Sequence, residues 1–178
     1  MSARAYTYRH NEVCEVLRDV AVKNGWRVAS YGTDLPASLV KPELAANLHN
    51  TRPDIVLYND FAKFSAKVVL LEVTVTFDTD RNIKAARMHK IAVYRPLIEA
   101  IKLSHPHRAL EVDIAPAVVG ARGIIHDKWH EDLRPLGLGG GQTTKAGYAA
   151  SLAAIKASHW IWTLWAAQAH GNPNSDPR

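Results

Sequence analysis

The apolar pattern of this chain predicts an α/β domain, a small mixed sheet flanked by helices with extra helices at the C-terminal end. Three observations lead there. Short runs rich in β-branched residues recur at Ile55–Tyr58, Lys67–Phe77 and Ala109–Val119. Segments whose apolar residues fall three and four apart stand before and between those runs. A last long segment, rich in alanine and tryptophan, carries no strand alternation.

From Tyr8 to Lys23, the residues Val13, Val16, Leu17, Val20 and Ala21 fall at i, i+3, i+4, i+7 and i+8, and Gly25 follows as a stop. This segment is an amphipathic helix. Trp26 to Tyr31 alternates as a strand, and Asp34 to Asn50, interrupted by Pro36 and Pro42, reads as a loop with a possible short helix. Ile55–Tyr58 and the run from Lys67 to Phe77 pair as a hairpin through the Asn59-Asp60 turn signal. Asp78-Thr79-Asp80 starts a helix whose stripe of Ile83, Ile91, Tyr94, Leu97, Ile98 and Ile101 runs to Ser104, with Pro96 expected to kink or divide it.

Ala109 to Val119 is the next strand, closed by Gly120 and Gly123, and Asp127 to Leu136 makes a short helix. Gly139-Gly140-Gly141 is expected as a flexible joint. The final helix spans Thr143 to His170, with Leu152, Ile155, Trp160, Ile161, Leu164 and Trp165 near one side and Trp160, Trp162 and Trp165 as packing anchors. Residues 1–170 are expected to form one domain, and 171–178 a disordered tail.

Composition narrows the class. With 178 residues, of which 47% are hydrophobic and 22% charged, the chain falls in the globular range and can bury a core without disulfides or structural metal. No stretch approaches the roughly 20 apolar residues of a membrane span. Met-Ser-Ala-Arg leads into no apolar h-region, and Cys14, the single cysteine, has no internal disulfide partner. A reducing interior, cytosol or nucleus, is expected. A net charge of +5 and a pI near 9.4 favour a polyanionic partner.

Chemistry concentrates on two acids. Glu72 lies inside an apolar strand, where an ionised carboxylate costs several kcal/mol unless positive charge meets it. The hairpin brings Asp54 beside it. Two neighbouring carboxylates need a shared proton, a cation or a hard metal such as magnesium between them, and metal is the preferred reading. The alternative is that each acid pairs with a nearby Arg or Lys at a sheet edge. At about 100° per residue, Lys90 and Arg87 both point inward from the second long helix, so Lys90 is a candidate partner for both acids; a lysine snorkelling from the stripe's edge is the alternative. On the first helix Arg9 lies near the centre of the inner face, Glu12 on its border and Glu15 on the far side. Glu12 is a candidate third ligand, or a solvated glutamate favoured by the helix dipole.

Arg9-His10-Asn11, Arg52-Pro53-Asp54, Glu72-Val73-Thr74-Val75 and Lys90-x-x-x-Tyr94 stand in an order that resembles the restriction-like endonuclease domain of site-specific non-LTR retrotransposons. Ala117 to Gly123 is similar to the strand that follows in that domain, so the likeness spans residues 8 to 125. The resemblance implies a PD-(D/E)xK restriction-endonuclease-like core, with Asp54, Glu72 and Lys90 catalytic. Mg2+, or Mn2+ in its place, would be held by Asp54 and Glu72. Arg9, His10, Asn11, Arg52, Arg87 and Tyr94 would contact DNA or support the site. Thr74 departs from the usual pattern, which has lysine two positions after the second acid. In this family the lysine comes from the next helix, where Lys90 stands. The implied function is a nick in double-stranded DNA that primes reverse transcription, within a larger nuclear polyprotein. A cleavage-inactive DNA-binding domain, or a resolvase or repair nuclease of the same fold, is the alternative. Zinc at His126-x-x-x-His130 is disfavoured because no second ligand pair accompanies it.

Overall fold

The computed structural model describes residues 3–45, 48, 51–59 and 65–169. The expected tail at 171–178, Asp60 of the hairpin turn and His170 lie outside the described residues. Helix α1 (Ala3–Lys23) starts before Tyr8, because the first turns lie ahead of the apolar stripe that marks the helix in sequence. It stops where Gly25 takes a φ of +89°, a conformation cheap only for glycine, and Trp26 N–H donates back to the Ala21 carbonyl at 3.2 Å. Strand β1 (Arg27–Tyr31) follows, and then a single turn, α2 (Pro42–Ala45), opened by the proline that suits a first helical position.

Strands β2 (Ile55–Asn59) and β3 (Ser65–Thr76) pair antiparallel, with Ile55 opposite Leu71. Helix α3 (Asp80–Ser104) then crosses to β4 (Ala109–Gly120), which lies parallel to β3. Among the described residues the sheet has four strands in the order β1-β2-β3-β4, mixed as the sequence predicts. Pro116 is tolerated within β4 because β4 is an edge strand. A one-turn α4 (Trp129–Asp132), a 3-10 turn at Arg134–Leu136 and α5 (Gly140–Ala169) follow, the last elements among the described residues.

Alternation along β3 divides the core. Val69, Leu71 and Val73 pack with Ile55 and Leu57 against Val13 and Leu17 of α1 and Ala150 and Ala154 of α5. Val68 and Leu70 pack with Val56 against Tyr94, Leu97 and Ile101 of α3. The result is three layers, helices on both faces of the sheet. A period of two places Glu72 on the α3 face, with Val68 and Leu70.

Three expectations are corrected. Pro96 does not divide α3, because Pro96 and Ala92, the carbonyl that loses its donor, are both exposed and water can serve that carbonyl. Gly140 and Gly141 open α5 instead of forming a free joint. Thr143 N–H and its hydroxyl both donate to the Gly139 carbonyl, and Gly139 N–H donates to Gln142 Oε1, so this helix start is capped. The tryptophans are not all anchors. Trp162 and Trp165 are 65% and 60% exposed, while Thr143, Ala146, Ala150, Ala154, Ala157 and Ile161 form the buried stripe. Small residues let α5 approach α1 closely, and their weak hydrophobicity hides the docking face from a reading that weighs only large side chains.

Candidate active site

The site forms where the chain enters β2. Asp54 immediately precedes that strand, and Glu72 stands on β3 one residue beyond the Ile55–Leu71 pair. Two backbone bonds lock the acids to each other's strand. Asp54 N–H donates to Glu72 Oε1 at 2.9 Å, and Val73 N–H donates to Asp54 Oδ2 at 2.8 Å. Each carboxylate thus satisfies the strand that carries the other, and the pair is positioned before any side chain joins it.

Lys90 arrives from α3. Its Nζ donates to Glu72 Oε2 at 2.8 Å and lies 4.0 Å from Asp54 Oδ2, so one ammonium serves both acids. The Tyr94 ring lies one turn on, with the ammonium 5.8 Å from its centroid, and its hydroxyl donates to the Arg52 carbonyl at 2.7 Å. Burial, with the charge of Glu72, holds the Tyr94 hydroxyl far above its usual range, so it stays a neutral donor that ties the Arg52-Pro53-Asp54 turn to α3.

His10 closes the site from α1. Its Nε2 lies 3.3 Å from Asp54 Oδ1, and Cys14, one turn below, places Sγ 3.6 Å from Nδ1. Asn11 Oδ1 is 3.3 Å from the same Nδ1. The hydrogen bond to Asp54, helped by Cys14, pushes the His10 pKa up to about 11, so the ring is an imidazolium with a proton on each nitrogen. Burial alone would raise Asp54, but the hydrogen bond and charge of His10, with Lys90, outweigh it and hold this carboxyl below the ordinary range. Glu72, 0% exposed, is pushed up to about 7 by burial and by the charge of Asp54, against the partial relief from Lys90.

Asp54, Glu72, Lys90, His10 and Tyr94 therefore converge, with Asn11 touching the outer side of His10. Other expected members stand elsewhere. Arg87 turns away from the acids and grips the buried Asp132, with Nε 2.8 Å and a terminal nitrogen 2.6 Å from its carboxylate, fastening α4 to α3. Arg9 is buried between α1 and α5, donating to Ser158 Oγ at 3.2 Å. The Arg52 guanidinium pairs with Asp34 on the surface at 2.8 Å, and only its carbonyl joins the site. Glu12 is exposed: two residues, about 200° around the helix, separate it from His10, which holds the inward place. Thr74 shares the sheet face of Glu72, and its buried Oγ1 has no hydrogen-bond partner among the described residues. Cys14 was missed as a member, although its spacing of four from His10 was visible in the sequence.

The donors divide by hardness. His10, Cys14 and Asp54 offer one nitrogen, one sulfur and one oxygen within 4.8 Å of one another, a group that can hold a metal ion. That mixture suits a borderline or soft ion, and burial raises the Cys14 thiol, which works against the thiolate such an ion needs. Asp54 and Glu72 offer only oxygens, the donors a hard ion takes, but an ammonium and an imidazolium already neutralise them, so such an ion would have to compete with Lys90 and His10. Neither a protein-family model nor a curated protein matches this chain.

Proposed function

We propose that this chain is a PD-(D/E)xK-type endonuclease domain that hydrolyses a phosphodiester of double-stranded DNA with Mg2+, for which Mn2+ can substitute. The reading is carried by one observation, the meeting of Asp54, Glu72 and Lys90 from three separate segments, with Lys90 hydrogen-bonded to Glu72 and 4.0 Å from the Asp54 carboxylate. The order helix, strand, short helical turn, two strands, helix, parallel strand supports the fold, and the net charge of +5 suits a polyanionic substrate.

Asp54 and Glu72 would hold the ion, with their carboxylates kept in place by the crossed backbone bonds to each other's strand. When bound, the ion supplies a Lewis acid for the scissile phosphate and an acidified water. Lys90 brings a positive charge that orients a water or stabilises the added negative charge on phosphorus oxygens. Tyr94 holds the turn that carries Asp54 against α3, and His10 keeps a proton at Nε2 facing Asp54 Oδ1. In the retrotransposon setting the nick supplies the 3′-hydroxyl that primes reverse transcription. The domain would then work in the nucleus as part of a larger reverse-transcriptase polyprotein.

A second reading has its own observation. Lys90 and protonated His10 already balance the charge of both acids, which suits a domain that binds DNA without cutting it. Incubation of supercoiled plasmid with Mg2+ or Mn2+ separates the two. Nicking is expected, with a loss of about a hundredfold or more in Asp54→Ala. Tight DNA binding without nicking in either metal selects the second reading.

A further inference from the structure

Helix α5 presents a second, largely exposed face, which meets the rest of the molecule at the Gly123 turn through Ser151 and Ile155. Tyr148, Leu152, Ile155, His159 and Trp162 recur at spacings of four, three, four and three, the a/d seam of a coiled coil. At about 100° per residue their centre lies roughly opposite the buried alanine stripe. Tyr148, Leu152, Ile155 and Trp162 are 74%, 50%, 43% and 65% exposed. A seam with four exposed apolar members, interrupted by His159, marks an interaction site more often than bare surface. At its N-terminal end the seam borders a cleft of about 430 Å³ lined by Ile125, Trp129 and Tyr148, large enough to receive side chains from an occupant.

Charge selects the occupant. Helix α5 contains no Asp or Glu, and its two lysines, Lys145 and Lys156, are exposed along one flank of the seam about three turns apart. A second copy of α5 would bring no acid to meet those lysines. The 4-3 spacing calls for another helix, because aliphatic Leu152 and Ile155 at its centre offer knobs and holes rather than faces on which bases stack. We propose that the outer face of α5 docks an amphipathic helix of another protein, with an apolar seam and an acidic flank facing Lys145 and Lys156. This assignment does not depend on the nuclease reading.

The test uses the whole chain and two synthetic helices of about three heptads, both with Leu at a and d, one with Glu and one with Lys at the flanking positions. Tryptophan fluorescence is expected to shift on adding the Glu peptide, with affinity about tenfold or more above that for the Lys peptide. Trp162→Glu should abolish binding while circular dichroism shows an unchanged fold, and Lys145→Glu with Lys156→Glu should reverse the preference. Equal affinity for both peptides, or binding of neither, would overturn the proposal. It would also be overturned by a dimer of the chain, or by oligonucleotide binding, that Trp162→Glu abolishes while leaving peptide affinity unchanged.

Discussion

Glu72 is the most deeply buried of the charged side chains that meet in the site. Its folded pKa, about 7, stands above the ordinary value of 4.5, so it contributes stability that is complete below pH 4.5 and is lost as the pH rises through 7. His10 contributes in the same sense but later, losing its part only as the pH climbs from 6.5 through about 11. Asp54, held low, contributes stability above pH 3.8 that disappears in acid. Urea unfolding between pH 5 and 8 is expected to show wild-type stability falling with pH and a shallower fall in Glu72→Gln; equal slopes would mean that Glu72 is not strained by burial. Lys90→Met strips the buried carboxylate of its ammonium and is expected to cost about 3 kcal/mol at pH 8. The loss should shrink at pH 5, where Glu72 takes up a proton instead.

Elements were legible in proportion to the size of their apolar residues. The strands around Asp54 and Glu72 and the stripe of α3 were visible because Val, Leu and Ile mark them. The inward turn of Lys90 followed from helical spacing alone. Arg87, read the same way, was misplaced because its partner Asp132 lies 45 residues on, a pairing that no local period encodes. Cys14 and His10 share a helix face at a local spacing of four, but what brings them to Asp54 is the packing of α1 across the sheet, which no local period encodes. On α5 the large residues misled, because alanines make the contact and tryptophans face out. Thermal or urea unfolding tests this inversion: Ile161→Ala is expected to cost about 2–4 kcal/mol, and Trp162→Ala less than about 0.5. The opposite ranking would place the docking face of α5 on the tryptophan side.

As a whole, the molecule is a mixed four-stranded sheet with α1 and α5 on one face and α3 on the other, and the site opens where residues from both layers reach the start of β2. No helix among the described residues is long and apolar enough to cross a membrane. The three layers explain why acids from the sheet, a lysine from one side and a histidine from the other meet at one point. They also set the competition on which the account turns, because a divalent ion and the Lys90 ammonium seek the same oxygens. Crystals soaked in Mn2+ and measured at the manganese edge address this directly. The account predicts an anomalous peak bridging the carboxylates of Asp54 and Glu72, with Lys90 Nζ moved off Glu72 Oε2. A peak bound only by His10, Cys14 and Asp54, or no peak with Lys90 still on Glu72, would contradict it.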